Sequence, residues 1–173
     1  MKVRAFVLAA GLLASVSLSA QDNETKETTT YANVTEFGFM TASPKGVALE
    51  ATTAHGIAFN KKHLLGLGVG IGGSFSPYYN TAYMPIFINY RLYFKPNSTF
   101  SPHLNAALGG VMLENGAGMY SAVTMGFRAG HFSFSSGLSF MPMQRMGHFR
   151  FYDDPMTVWY YPFGITIKVG FSF

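Results

Sequence analysis

Glu36, Glu50, Arg91, His103, Arg128 and Lys168 each fall in a different alternating segment of the chain, always on its glycine-, alanine- and serine-rich side. Acids and bases that share a confined, low-dielectric space must pair, because an isolated buried charge costs more than folding can offset. The chemistry open to such a set is a structural ion network. Its functional counterpart would be a proton or ion path, which a narrow interior disfavours. Glu36 and Lys168 lie five residues from matching ends of the first and last segments, so they are expected to meet across the seam where those segments close.

A second constellation is His131-Phe132-Ser133, in which a histidine two residues from a hydroxyl has the makings of a base and a nucleophile. Histidines 55, 63, 103, 131 and 148 are otherwise scattered, with no His-x-x-x-His spacing and no cysteine partner, so a metal site is unsupported and no cofactor is expected. His55 falls on the apolar side of its segment and breaks the pattern.

Residues 141–156 form the longest connection and the best candidate contact site: Arg145, His148, Phe149, Arg150, Phe151 and Tyr152 precede Asp153 and Asp154. Arginine and aromatic side chains are favoured at contact sites, and basic groups suit phosphates. Two adjacent carboxylates without a third oxygen ligand make weak calcium chemistry.

The elements that must position these groups have a period of two. At the chain's end Phe163, Ile165, Ile167, Val169, Phe171 and Phe173 alternate with Gly164, Thr166, Lys168, Gly170 and Ser172, which predicts a strand with one apolar and one small or polar face. Similar segments are predicted at 31–42, 47–59, 63–75, 83–94, 103–112, 119–128 and 131–140, separated by turn signals. In 63–75, Leu65, Leu67, Val69 and Ile71 oppose Gly66, Gly68, Gly70 and Gly72, whose missing side chains leave room for long ones from across a narrow interior. The segment 31–42 is the weakest, because Asn33 and Thr35 dilute its apolar side.

Composition narrows the class. Of 173 residues 49% are apolar and only 12% charged, against about 25% charged in an average soluble domain. Past the N-terminus no apolar run reaches the roughly 18 residues of a membrane helix, which leaves strands to do any spanning. Lys2 and Arg4, the apolar run 6–14 and Leu18-Ser19-Ala20 read as a secretory signal peptide over residues 1–20, cut after Ala20. Its removal takes Lys2 and Arg4 with it and lowers the formal charge from +4 to +2, too little to suggest a nucleic-acid partner. The absence of cysteine rules out lipoprotein attachment and disulfides. Residues 21–30 (QDNETKETTT) read as a disordered periplasmic lead-in, and the sequons at Asn23, Asn33 and Asn97 as chance in a threonine-rich chain.

The last segment, ending on Phe173, resembles the terminal strand of bacterial outer-membrane β-barrel proteins, whose alternating apolar residues and final Phe form an assembly signal, here Phe171 and Phe173. With the signal peptide, the chain over 31–173 is similar to the small OmpA/OmpX-type barrels of Gram-negative outer membranes. The resemblance implies an all-β, eight-stranded, antiparallel, up-and-down transmembrane β-barrel with both termini periplasmic. On that layout the turns near Asn60, Lys95 and Ala129 are inner and short, while the connections near Ser76, Leu113 and Met141 are outer and longer. Tyr78, Tyr79, Tyr83, Phe140, Trp159, Tyr160 and Tyr161 would form an outer aromatic belt, and Phe59, Phe94, Phe100, Phe132, Phe171 and Phe173 an inner one. A soluble lipocalin-like barrel would turn the apolar faces inward and leave an outside of Gly, Ser, Ala and Thr almost without charge.

The resemblance also implies partners and a role. The partners are outer-membrane lipid and lipopolysaccharide, the barrel-assembly machinery, and an extracellular ligand met through the outer loops. The role is non-enzymatic, in envelope integrity or adhesion. Two alternatives remain. His131-Phe132-Ser133 is similar to the His-x-Ser of outer-membrane lipid A deacylases, but Phe134 replaces their Asn and their downstream Asn-Gly segment is missing. The other alternative is a narrow pore for small solutes.

Overall fold

The computed structural model describes residues 28–42, 46–76, 80–114, 116–147, 156–160 and 163–173. They form strands β1 (Thr29–Ala42), β2 (Gly46–Phe59), β3 (His63–Phe75), β4 (Asn80–Tyr93), β5 (Phe100–Leu113), β6 (Gly116–Ala129), β7 (Phe132–Phe140), β8 (Met143–Gly147), β9 (Met156–Tyr160) and β10 (Phe163–Ser172). Each of β1 to β6 pairs antiparallel with the next, and β10 joins β7 to β1, so eight strands close into a barrel with no free edge. The end holding Thr29 and Phe173 is here called the base and the opposite end the rim.

The ladders fix the barrel's shape. Stepping between paired residues from Thr30 through Ala58, Leu64, Arg91, Asn105, Thr124, Gly137 and Thr166 returns to β1 at Met40, ten residues from the start. A stagger of ten over eight strands, with about 3.3 Å per residue and about 4.8 Å between strands, requires the strands to tilt by about 41°. Such a barrel is only wide enough to be filled by side chains.

Alternation decides which side chains fill it. Along β10 every second residue is buried, and those residues are Gly164, Thr166, Lys168, Gly170 and Ser172, whereas Phe163, Ile165, Ile167, Val169 and Phe171 point outward. The same inversion holds round the ring: Leu67 is 69% exposed while Arg91 is 0% exposed. The outside is interrupted on β1 and β2, where Asn33, Thr35, Thr53 and His55 share the outward parity.

Local chemistry explains the turns. Asn60 and Lys61 both take positive φ (52° and 56°), and Lys62 N donates to Phe59 O at 3.0 Å, a two-residue turn whose twist suits a right-handed hairpin. At the rim, by contrast, expectation and structure differ. Strand pairing runs on to Ala42–Gly46, Phe75–Asn80 and Leu113–Gly116, so these rim connections are no longer than those at the base. Extended backbone continued past the sequence-predicted strand ends because each added residue gains ladder bonds. Only the connection between β7 and β10 is long, and it is not structureless. Within it β8 pairs with both β6 and β9, carrying a short hairpin up beyond the rim.

Two aromatic expectations also need correction. Tyr83 is not in an outer belt but inside, 2% exposed, since it shares parity with Asn89 and Arg91 on β4. The rings that occupy the space above the β3 glycines come from the adjacent strand, not from across the lumen. Phe87 lies over its ladder partner Gly68 and Tyr83 over Gly72, where a Cβ atom would come within 2.3 Å of either ring. Phe59, Phe94, Phe100, Phe132, Phe171 and Phe173 are all exposed around the base. Tyr78, Tyr79 and Tyr161 lie outside the described residues.

Candidate functional site: the charged lumen

The central lumen is built from side chains that no single strand could bring together. Arg91, fully buried on β4, donates from Nη2 to Glu36 Oε1 on β1 at 2.6 Å. Its Nε donates to Asn105 Oδ1 at 3.4 Å, and that same oxygen accepts from Asn89 Nδ2 at 2.7 Å. Asn105 in turn donates from Nδ2 to Thr124 Oγ1 at 3.4 Å, which carries the polar layer to β6.

Nearer the rim a second pair forms. Lys168 Nζ on β10 lies 2.5 Å from Glu50 Oε1 on β2. Tyr120 bridges them: its hydroxyl accepts from Lys168 Nζ and donates to Glu50 Oε1, both at 3.0 Å. Tyr83 donates to the other carboxylate oxygen at 3.4 Å, and Phe87 packs against Tyr120 with ring centres 5.0 Å apart.

Glu36 and Lys168 both face the lumen beside the seam and are close enough to attract each other, but each takes another residue as its direct ion partner, and the register gives the reason. On the seam Lys168 stands opposite Gly38, while Glu36 stands opposite Gly170, two residues out of step. Gly38 is in turn the ladder partner of Glu50. Because Gly38 has no side chain, Lys168 and Glu50 reach each other over its Cα, and Glu36 is left to the guanidinium of Arg91.

His103 and Arg128 lie apart from these pairs, nearer the base. Both turn to Tyr93, His103 edge-on at 5.7 Å and the Arg128 guanidinium over the ring at 4.6 Å. Arg128 Nη2 also donates to Pro96 O at 3.3 Å. Among the described residues the ring nitrogens of His103 and the hydroxyls of Ser133, Ser135 and Ser172 have no protein partner.

His131 and Ser133 do not form a nucleophile and base pair. His131 is exposed in the β6–β7 turn at the base, where it borders the mouth of the lumen with Tyr93 and Arg128, because β7 begins only at Phe132. Its Nδ1 lies 3.1 Å from Ser172 O, and its ring stacks on Phe173 at 5.0 Å. Phe173 itself is tied to β1 by two backbone bonds with Asn33, of 2.8 and 2.9 Å, and Phe171 faces outward two residues before it.

Of the proposed rim contact site, Arg145 belongs to β8, while His148, Phe149, Arg150, Phe151, Tyr152, Asp153 and Asp154 lie outside the described residues. So do residues 1–27, which hold the expected signal peptide and most of the expected lead-in. No group of three or more His, Cys, Asp or Glu that could hold a metal occurs among the described residues.

Sequence reasoning left Tyr83, Tyr120 and Asn105 out of the network. The signal was parity: each shares the face of a charged residue or of its ladder partner. Chemically the arrangement neutralises two cations with two anions and fills the centre with rings and amides, which braces the barrel from within. No protein-family model matches the chain, and no curated protein sequence matches it either.

Proposed function

We propose that the protein is an outer-membrane β-barrel, with its base in the periplasm and its rim at the cell surface, and that its role is structural or surface-binding. The observation that carries this reading is the inverted polarity of the wall. Buried charges and amides lie inside, and a near-continuous apolar band from Phe37 to Leu67, Leu108, Val123 and Ile167 lies outside. A soluble monomer rarely exposes a contiguous apolar patch beyond a few hundred Å², so a wall of this kind calls for lipid as its solvent. The exposed phenylalanines at the base support an interfacial girdle, and the N-terminal 1–20 segment supports export through the Sec route.

On this reading outer-membrane lipid and lipopolysaccharide surround the wall, the assembly machinery engages Phe171 and Phe173, and any extracellular ligand meets the rim around residues 143–160. The lipid A hydrolase reading gains nothing from His131, which is engaged with Ser172 and Phe173. A small-solute pore is opposed by the crossing pairs at Glu36–Arg91 and Glu50–Lys168.

The test is fractionation with site labelling. The chain is expected to leave membranes only in detergent. A membrane-impermeant maleimide is expected to label Glu114→Cys on intact cells and Asn97→Cys only after the envelope is opened. Release by salt or carbonate, or the reverse labelling, overturns the reading. Comparing adhesion and lipid A acylation in cells with and without the protein then separates surface binding from hydrolysis.

A further inference from the structure

At the base the lumen opens into a cavity of about 670 Å³, within the range of small-molecule pockets. Its charged lining is of one sign. Lys61 from the β2–β3 turn, Arg128 from β6 and His131 from the β6–β7 turn border it, and no Asp or Glu side chain does. The acids among the described residues are engaged or distant: Glu36 and Glu50 are bound to Arg91 and Lys168, and Glu114 follows β5 at the rim. Lys61 and Arg128 accordingly enter no ion pair with any described residue, the carboxyl end of Phe173 included.

Two buried polar atoms on this cavity lack a partner. Arg128 donates from Nη2 to Pro96 O at 3.3 Å and lays its guanidinium over Tyr93 at 4.6 Å, which fixes its plane, while its buried Nε bonds to no described residue. A backbone carbonyl accepts from the guanidinium but leaves its charge uncompensated. Ser172, only 6% exposed and inward-facing on β10, likewise has a hydroxyl with no hydrogen bond. His131 is held through Nδ1, 3.1 Å from Ser172 O, and its Nε2 bonds to no described residue.

We infer that this mouth is a binding site for a phosphate group, carried by a small soluble ester or by a lipid headgroup. A guanidinium with an open Nε edge, an ammonium on a flexible stem, an imidazole and a hydroxyl make a donor set suited to a tetrahedral oxyanion, whose oxygens accept from several directions. The four donors stand on four separate segments, and a planar carboxylate has fewer oxygens to offer them. The cavity exceeds a bare phosphate in volume, and Tyr31, Leu64 and Phe173 give an organic body a surface to lie against. It opens at the base whatever surrounds the wall, so the inference stands apart from the membrane reading.

The test is a titration of the purified full chain in uncharged detergent at fixed ionic strength, with inorganic phosphate, glycerol 3-phosphate and short-chain phosphatidylglycerol as separate probes. One saturable site per chain is expected, with a dissociation constant of about 1 mM for inorganic phosphate and about tenfold tighter binding of one ester. Preference for glycerol 3-phosphate assigns a soluble source, and preference for phosphatidylglycerol a lipid. Arg128→Gln is expected to weaken binding about tenfold or more, and Ser172→Ala and Lys61→Gly about threefold or more. Lys61 has positive φ, so glycine keeps its turn, and these last two variants carry the test if Arg128→Gln does not fold. Lys95→Gln is expected to change nothing, since Lys95 lies at the same end but off the cavity. Absence of saturable binding overturns the site, and so does a loss in Lys95→Gln equal to that in Lys61→Gly, which would show diffuse charge attraction. Neither result bears on the membrane reading, which fractionation tests separately.

Discussion

Lys168 Nζ lies 2.5 Å from Glu50 Oε1 although the two residues sit on strands that are not neighbours, with β1 between them. The bridge passes over Gly38, where an added Cβ would meet Glu50 Cγ at 2.9 Å and Lys168 Cγ at 3.4 Å. Gly38→Val is therefore expected to push the pair apart and lower stability by about 1–3 kcal/mol, the usual cost of overpacking. Urea unfolding in detergent micelles, followed by tyrosine and tryptophan fluorescence, reads the change. An unchanged midpoint would show that the bridge does not need the glycine.

Removing one member of the deeper pair has a different signature. Arg91→Met strands a buried Glu36 carboxylate, with an expected loss of about 3–5 kcal/mol, whereas Arg91→Met with Glu36→Leu removes both charges and is expected to recover most of it. A double-mutant cycle on unfolding free energies checks this, and simple additivity of the two single changes would count against the pairing.

The two lumen tyrosines are unequal. Tyr120 bonds both members of the Lys168–Glu50 pair at 3.0 Å, while Tyr83 reaches only Glu50 and at 3.4 Å. Tyr120→Phe is expected to cost about 1–3 kcal/mol and Tyr83→Phe about 1 kcal/mol or less, by the same unfolding measurement. The reverse order would indicate that ring packing, not the hydroxyl, anchors the layer.

On the proposed membrane reading, lipid on the outside makes substitutions there depth-dependent. Leu108, 58% exposed, is eight residues up β5 from Phe100 at the base. Leu108→Arg is expected to cost about 2–4 kcal/mol in bilayers and Phe100→Arg about 0–1 kcal/mol. Equal, small effects at both positions would point to water around the wall.

Much of this architecture was legible because strand periodicity is local. Alternation in 163–173 names the outward row from Phe163 to Phe171 and the inward row from Gly164 to Ser172, and both rows stand so in the barrel. Parity on β4 likewise carries Arg91 inward, and carries Tyr83 with it once followed to the strand's start. Residues 141–156 read as a loop because a five-residue strand such as β8, Met143–Gly147, is too short to show a period.

What the chain determined by itself was therefore the face on which each side chain lies, since a period of two needs only neighbouring residues. Tertiary structure alone decided who meets whom, because partners depend on the ten-residue stagger accumulated round eight strands. That stagger put Gly38 between Lys168 and Glu50, gave Glu36 to Arg91, and gathered His55 with Tyr31, Asn33 and Thr53 on the outer wall.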